Sequence, residues 1–170
     1  MHLTFRPLSL ESQTEYTRRL HRCPQISSDY SFVNLWAWRD IYELEWAWSD
    51  DLVFIRQNAP QTQYWAPIGP WQNQDWSAVF AALPAELNLT RIPSQLAALL
   101  TAQLPERTHL YPAPDHFDYV YDVQELIELR GNRFHKKKNL LNQFKRTYQY
   151  TYIPLTAEAV EKALTLQTEW

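Results

Sequence analysis

Proline punctuates this sequence, and glycine is almost absent from it. With eleven prolines and two glycines in 170 residues, helices and strands must stop on residues that lack a backbone donor rather than on flexible turns. The intervals between these stops read clearly. A short alternating strand runs from His2 to Leu8 and stops near Pro7. Ser9 caps a helix from Leu10 to Arg22, with Leu10, Tyr16 and Leu20 inward and Arg18, Arg19 and Arg22 at the end where the helix dipole favours cations. Pro24 closes it. Ser28–Tyr42 follows as a second helix, capped by Asp29, with Phe32, Val33, Leu35 and Trp36 at helical spacing.

From Glu43 the period changes to two. Leu44, Trp46 and Trp48 share a face, Ser49–Asp51 turns, Leu52–Arg56 returns, and Gln63–Ala66 makes a third strand. Pro67 and Pro70 break the sheet. Asn73 or Asp75 caps a helix carrying Trp76, Val79, Phe80 and Leu83, which Pro84 ends. Leu87–Ile92 is strand-like, and Pro93-Ser94 opens a helix with Leu96, Leu99 and Leu100 inward that Pro105 stops. Thr108–Tyr111 and Phe117–Tyr121 alternate as strands around a turn at Pro112–Asp115. A last strand at Gln149–Ile153, a turn at Pro154 and a helix from Thr156 to Trp170 complete the chain. The order β-α-α-βββ-α-β-α-ββ-α-α-β-α predicts an α+β (mixed α/β) fold, a single mixed sheet covered by helices. The last helix carries Val160 and Leu164 with nothing after it to cover them, so the chain reads as a fragment of something longer.

Charge is segregated. The stretch Arg130–Tyr148 holds seven of the sixteen Lys/Arg residues and no acid, so it carries +7 while the other residues together carry −10. Segregation of this kind serves an anionic partner. Asp122 and Glu125 form a capping box for a helix Val123–Leu129 that Gly131 ends, and an amphipathic helix begins near Arg133. Phe134, Leu140, Leu141, Phe144 and Tyr148 share its apolar third. Lys136 and Arg146 lie clear of that face, Lys138 and Lys145 border it, and Lys137 falls in its middle. Two readings of Lys137 stay open: a stem packed on the core with its ammonium bent out to water, or a lysine aimed into a cleft that holds a carboxylate or phosphate.

Other chemistry is poorly supplied. Two glycines leave no Walker loop and no G-x-G-x-x-G. The lone Cys23 makes no internal disulfide, and His21, two positions away, is on the wrong side of the helix to activate it. His2, His21, His109, His116 and His135 are scattered, which argues against a metal site. Asp115, Asp118 and Asp122 are candidates for proton transfer, although Asp115 reads as a turn residue and Asp122 as a cap. Trp36, Trp38 and Arg39 offer either a stacking surface or plain core. No apolar run reaches eighteen residues and no signal-peptide core opens the chain, so a cytoplasmic protein is expected.

Four patterns, FRPLSLES, DYSFVNLWAWRDIY, DYVYDVQELIELRGNRFHKKKNLLNQF and YTYIPLT, together resemble a bacterial family similar to the C-terminal domain of phosphatidylglycerol lysyltransferase. The most specific block is G-x-x-F-H-x-K-[RK]-N-x-x-N-x-F, Gly131 to Phe144. Lys138 stands where arginine is expected, and Asn132-Arg133 where two lysines are commoner, so the bidentate fork of arginine is lost at 138. The resemblance implies an acetyltransferase-like (GNAT-like) fold used twice in tandem, with residues 1–147 the first domain and 148–170 the start of a truncated second. It implies aminoacyl-tRNA or acyl-CoA as donor, catalytic residues in a missing C-terminal half, and no catalytic machinery in this fragment. Arg133, Lys136, Lys137, Lys138, Asn139 and Lys145 would bind phosphate of tRNA or of an anionic lipid head group. Two alternatives stand beside it: a non-catalytic domain whose basic helix docks on the missing half, and an acyl-CoA acetyltransferase. The second is disfavoured because Gly69, between Pro67 and Pro70, and the isolated Gly131 make no backbone cradle for pyrophosphate.

Overall fold

The computed structural model describes residues 3–84 and 87–168. His2, Glu169 and Trp170, at the ends of the first expected strand and the last expected helix, lie outside the described residues. The fold is α+β, and the chain forms two compact units, Met1–Asp118 and Tyr119–Trp170.

The first unit is built on a five-stranded mixed sheet in the order β1 (Arg6–Pro7), β2 (Glu45–Trp48), β3 (Val53–Gln57), β4 (Gln63–Trp65), β5 (Leu89–Thr90). The first three pairings are antiparallel, with Trp46 opposite Ile55 and Arg56 opposite Tyr64, and β5 runs parallel to β4 with Tyr64 opposite Leu89. A parallel return needs a crossover, and α3 (Trp76–Phe80) lies in it. Val53, Phe54 and Ile55 are buried in succession. Neighbouring strand residues point to opposite faces, so both faces of β3 are covered.

Between β1 and β2 come α1 (Gln13–Leu20) and α2 (Phe32–Trp38), and after β5 comes α4 (Ser94–Gln103). The alternate tryptophans of β2 meet the helices as their spacing predicts. Trp46 stacks on Tyr16 of α1 at 5.8 Å between ring centres and lies 6.4 Å from Phe32 of α2. Arg19 sits 4.9 Å over Trp48. The buried Tyr16 hydroxyl donates to the Tyr30 carbonyl (2.8 Å), the Tyr30 hydroxyl donates to the Arg91 carbonyl (2.9 Å), and the Trp71 indole N–H donates to the Pro67 carbonyl (2.8 Å). A core of large plates thus satisfies most of its own polar edges. Trp76 is the exception: its buried indole nitrogen has no partner among the described residues.

Several expected elements differ. Leu10–Ser12 is a 3₁₀ turn with Leu10 exposed, so α1 buries Tyr16 and Leu20 alone. Ser9 bonds the Ser12 hydroxyl rather than capping a helix. Ser31, not Asp29, caps α2, accepting from the Asn34 backbone N–H, and Val33 is exposed. Asp29 is instead drawn away to Arg91, whose Nε donates to it at 2.9 Å. The strands expected at Thr108–Tyr111, Phe117–Tyr121 and Gln149–Ile153 do not form, and Pro114–His116 is a 3₁₀ turn. Alternation alone makes no strand where no edge offers hydrogen bonds.

The second unit contains α5 (Val123–Glu128), α6 (His135–Thr147) and α7 (Ala157–Thr168). Asp122 caps α5 as predicted, accepting from the Glu125 N–H at 3.0 Å. The helix ends one step earlier than expected, on Leu129 in the left-handed conformation (φ 47°). Thr156 caps α7 through the Ala159 N–H. Among the described residues of this unit Phe134 is the one large apolar side chain that is buried, whereas Val123, Ile127, Leu140, Phe144, Tyr152 and Leu164 are among many left exposed.

Candidate anion-binding helix

The helix α6 is the place where the cations gather. It needs no cap side chain to begin, because the 3₁₀ turn Asn132–Phe134 leads straight into it from Gly131 (φ 86°). Lys145 and Arg146 occupy its last turn, where the dipole favours positive charge.

The six residues singled out from the sequence fall in three groups. Arg133 lies in the turn before α6, forms an ion pair with Glu125 and sits 4.8 Å over the Phe134 ring, so its charge is already answered. Lys136, Lys137, Lys138 and Lys145 are exposed and have no ion pair among the described residues. Arg146 shares that state. Asn139 lines an open surface recess with Asn142, Gln143, Arg146 and Thr147. These five residues recur at i, i+3, i+4, i+7 and i+8, which is one face of a helix. Asn142, Gln143 and Thr147 were not singled out in the sequence. Their signal is the polar half of the same helical wheel, which is overlooked when only charge is plotted.

The opposite face of α6 is apolar and uncovered. Leu140 is 66% exposed and Phe144 43%. The Phe144 ring lies 5.2 Å from that of Tyr148 and 5.1 Å from that of Tyr150, centre to centre. Lys137 shares this face and is itself exposed.

The other candidates have structural duties. Asp118 accepts from both the backbone N–H (2.9 Å) and the hydroxyl of Ser28. Asp122 is a cap, and Asp115 lies in the 3₁₀ turn. Burial pushes the Cys23 thiol up, and its sulfur accepts from the Gly69 N–H at 3.1 Å, an arrangement that suits packing rather than a thiolate nucleophile. Arg39 stacks 4.0 Å over Trp36, so that guanidinium already occupies the ring face offered for stacking. Among the described residues no three His, Cys, Asp or Glu side chains converge as metal ligands, and no helix is long and apolar enough to cross a membrane.

The family model for the C-terminal region of phosphatidylglycerol lysyltransferase matches residues 21–170. The chain belongs to this family. The match takes in the first unit from residue 21 onward and the whole second unit, with α6 and the cap of α5 inside it. The chain is also similar to a solved structure, the crystal structure of a conserved protein of unknown function from Bacteroides thetaiotaomicron VPI-5482, with a TM-score of 0.79 and 30% sequence identity. That similarity covers 99% of this chain and 59% of the other, so the chain spans well under two thirds of the protein it matches. No curated protein matches it.

Proposed function

We propose that this chain is the N-terminal part of an acyl- or aminoacyl-transferase in which α6 binds a phosphate-rich partner. In that reading the fold is acetyltransferase-like and used in tandem, the sheet unit belonging to the first module and the end of the chain opening the second. The observation that carries the proposal is a set of exposed cations along one helix, Lys136, Lys138, Lys145 and Arg146, that have no ion pair among the described residues, in a protein that is otherwise acidic. Like charges crowded on thirteen residues repel one another, and a bound anion relieves that cost. Asn139 supplies a neutral donor beside them on the same helix. Arg133 joins only by leaving Glu125. The family's name points to an aminoacyl group moved to phosphatidylglycerol, and both a tRNA donor and an anionic lipid acceptor present phosphates.

The test is a titration of the full-length protein with tRNA and, separately, with vesicles containing phosphatidylglycerol, over a range of salt. Four phosphate contacts give a log–log slope of about −3 to −4. Affinity that ignores salt with both partners would remove the proposal.

A further inference from the structure

The last residues of the first unit are held by very little. Residues 109–127 are exposed throughout, so burial does not fix the stretch 109–118 in place. Its own backbone bonds are local: the His116 N–H donates to the Ala113 carbonyl and the Phe117 N–H to the Pro114 carbonyl, closing the 3₁₀ turn. Among the described residues, one pair of hydrogen bonds ties the stretch to the body of the unit. The Asp118 carboxylate accepts from the Ser28 backbone N–H at 2.9 Å and from the Ser28 hydroxyl, 90 residues back in the chain. Just before the stretch, the Thr108 hydroxyl donates to the Leu100 carbonyl of α4 at 3.4 Å.

The two partners differ in how firmly they are seated. Ser28 opens the 3₁₀ turn Ser28–Tyr30, and its carbonyl accepts from the Asn34 side-chain amide (2.8 Å) and the Ser31 N–H (3.0 Å). Tyr30, two residues on, is buried; its hydroxyl donates to the Arg91 carbonyl and accepts from the Ala66 N–H, each at 2.9 Å. Ser28 is therefore a post set into the core. Asp118 is the end of a stretch with no such footing.

We propose that Ser28 and Asp118 form a latch that sets where the chain leaves the first unit, and that opening it frees residues 109–118 as a tether. With the latch closed, the chain into the second unit departs from Asp118. With it open, the chain departs from Thr108, and the ten freed residues give a reach of at most about 33–36 Å. The contact is charge-assisted but lies in water, so it is weak enough to open and close reversibly. Pro112 and Pro114 stiffen the freed stretch and keep it extended. The device does not depend on what α6 binds, since it governs the length of the connection and not the chemistry at its end.

The experiment uses pairs of nitroxide spin labels on the full-length protein in a Cys23→Ser background, read as distance distributions by double electron–electron resonance. Glu11→Cys with Ala113→Cys reports the stretch against the body of the first unit. Asp118→Ala removes both hydrogen bonds and should widen that distribution roughly twofold, as expected when a held segment becomes a tether. Ser28→Ala removes the hydroxyl bond alone and should widen it less, whereas Asp115→Ala, in the same stretch, should leave it narrow. An unchanged width in Asp118→Ala, or a distribution already as wide with Asp118 intact, overturns the latch. The urea midpoint of the first unit should be the same in all three variants; a fall in Asp118→Ala would make the contact part of the fold and overturn it too. Glu11→Cys with Glu161→Cys tests the tether: the distribution should extend to longer distances in Asp118→Ala, and no extension overturns that part.

Discussion

Replacing Gly69 by alanine tests how the first unit is closed. Gly69 has φ +140°, and a Cβ built there would lie 2.4 Å from the Asp51 carbonyl oxygen and 3.0 Å from Leu52 Cδ2. The nearer atom is backbone, so no side-chain rotation relieves the clash. Nor is the chain free to shift. The Gly69 N–H is tied to Cys23, and the adjacent Ile68 exchanges two hydrogen bonds with Val53, at 2.9 and 2.8 Å. Holding a β-carbon in that backbone region costs about 1–3 kcal/mol, and forcing it into packed backbone about 1–3 more. A loss of about 3–5 kcal/mol is expected, which is a large share of the roughly 5–15 kcal/mol that holds a domain together. Urea unfolding followed by tryptophan fluorescence reads this as a lower midpoint with an unchanged slope. Gly131→Ala is the control, because it also has positive φ (86°) but nothing lies within 4 Å of its Cβ, so the cost there is about 1 kcal/mol. A Gly69→Ala loss no larger than the Gly131→Ala loss would refute the argument from close approach.

Two further changes probe the same unit. Arg91→Met removes a guanidinium that is 9% exposed, lies 4.1 Å over the Trp65 ring and pairs with Asp29. Because Asp29 is still partly solvated after the change, the expected loss is about 2 kcal/mol rather than the full cost of a stranded buried charge, read by the same urea titration. Glu15 is held at about 2 by hydrogen bonds from Arg18 and then Arg19, against a usual 4.5. A depressed carboxyl stabilises the fold above its unfolded value and loses that contribution as pH falls, so melting temperature should decline between about pH 4.5 and 2. Glu15→Gln should flatten that part of the profile, with a small amplitude because the pair is exposed. An unaltered profile in the variant would show that Glu15 contributes nothing to it.

Much of the first unit is legible in the sequence because its signals are local. The switch from helical to alternate spacing at Glu43, the cap at Asp75 and the proline stops each act within a few residues, and α2, β2, β3 and α3 form where those signals lie. The misreadings come from partners distant in the chain. Asp29 has the chemistry of a cap, but Arg91, 62 residues on, takes it. Phe117–Tyr121 alternates as a strand should, yet Asp118 within it is bonded to Ser28, 90 residues back, and the segment pairs with no strand among the described residues. The parallel register of β5 against β4 depends on where a crossover lands, which no local pattern encodes. At the candidate site, charge marks the lysines and the polar half of the helical wheel marks the amide face of α6, while the pairing of Arg133 with Glu125 depends on how the chain turns at Gly131.

The central claim is that the cations of α6 meet phosphate, and the salt dependence of a variant tests it most directly. In the full-length protein, the combined change Lys136→Ala, Lys138→Ala and Lys145→Ala removes three of the four α6 cations outside the apolar face, none of which has an ion pair among the described residues. With roughly 0.7–0.9 of slope per phosphate contact, the log–log slope for tRNA or for phosphatidylglycerol vesicles should fall from about 3 in magnitude to about 1. The same slope in variant and wild type, for both partners, would mean that the anion is bound elsewhere and that α6 is not the site.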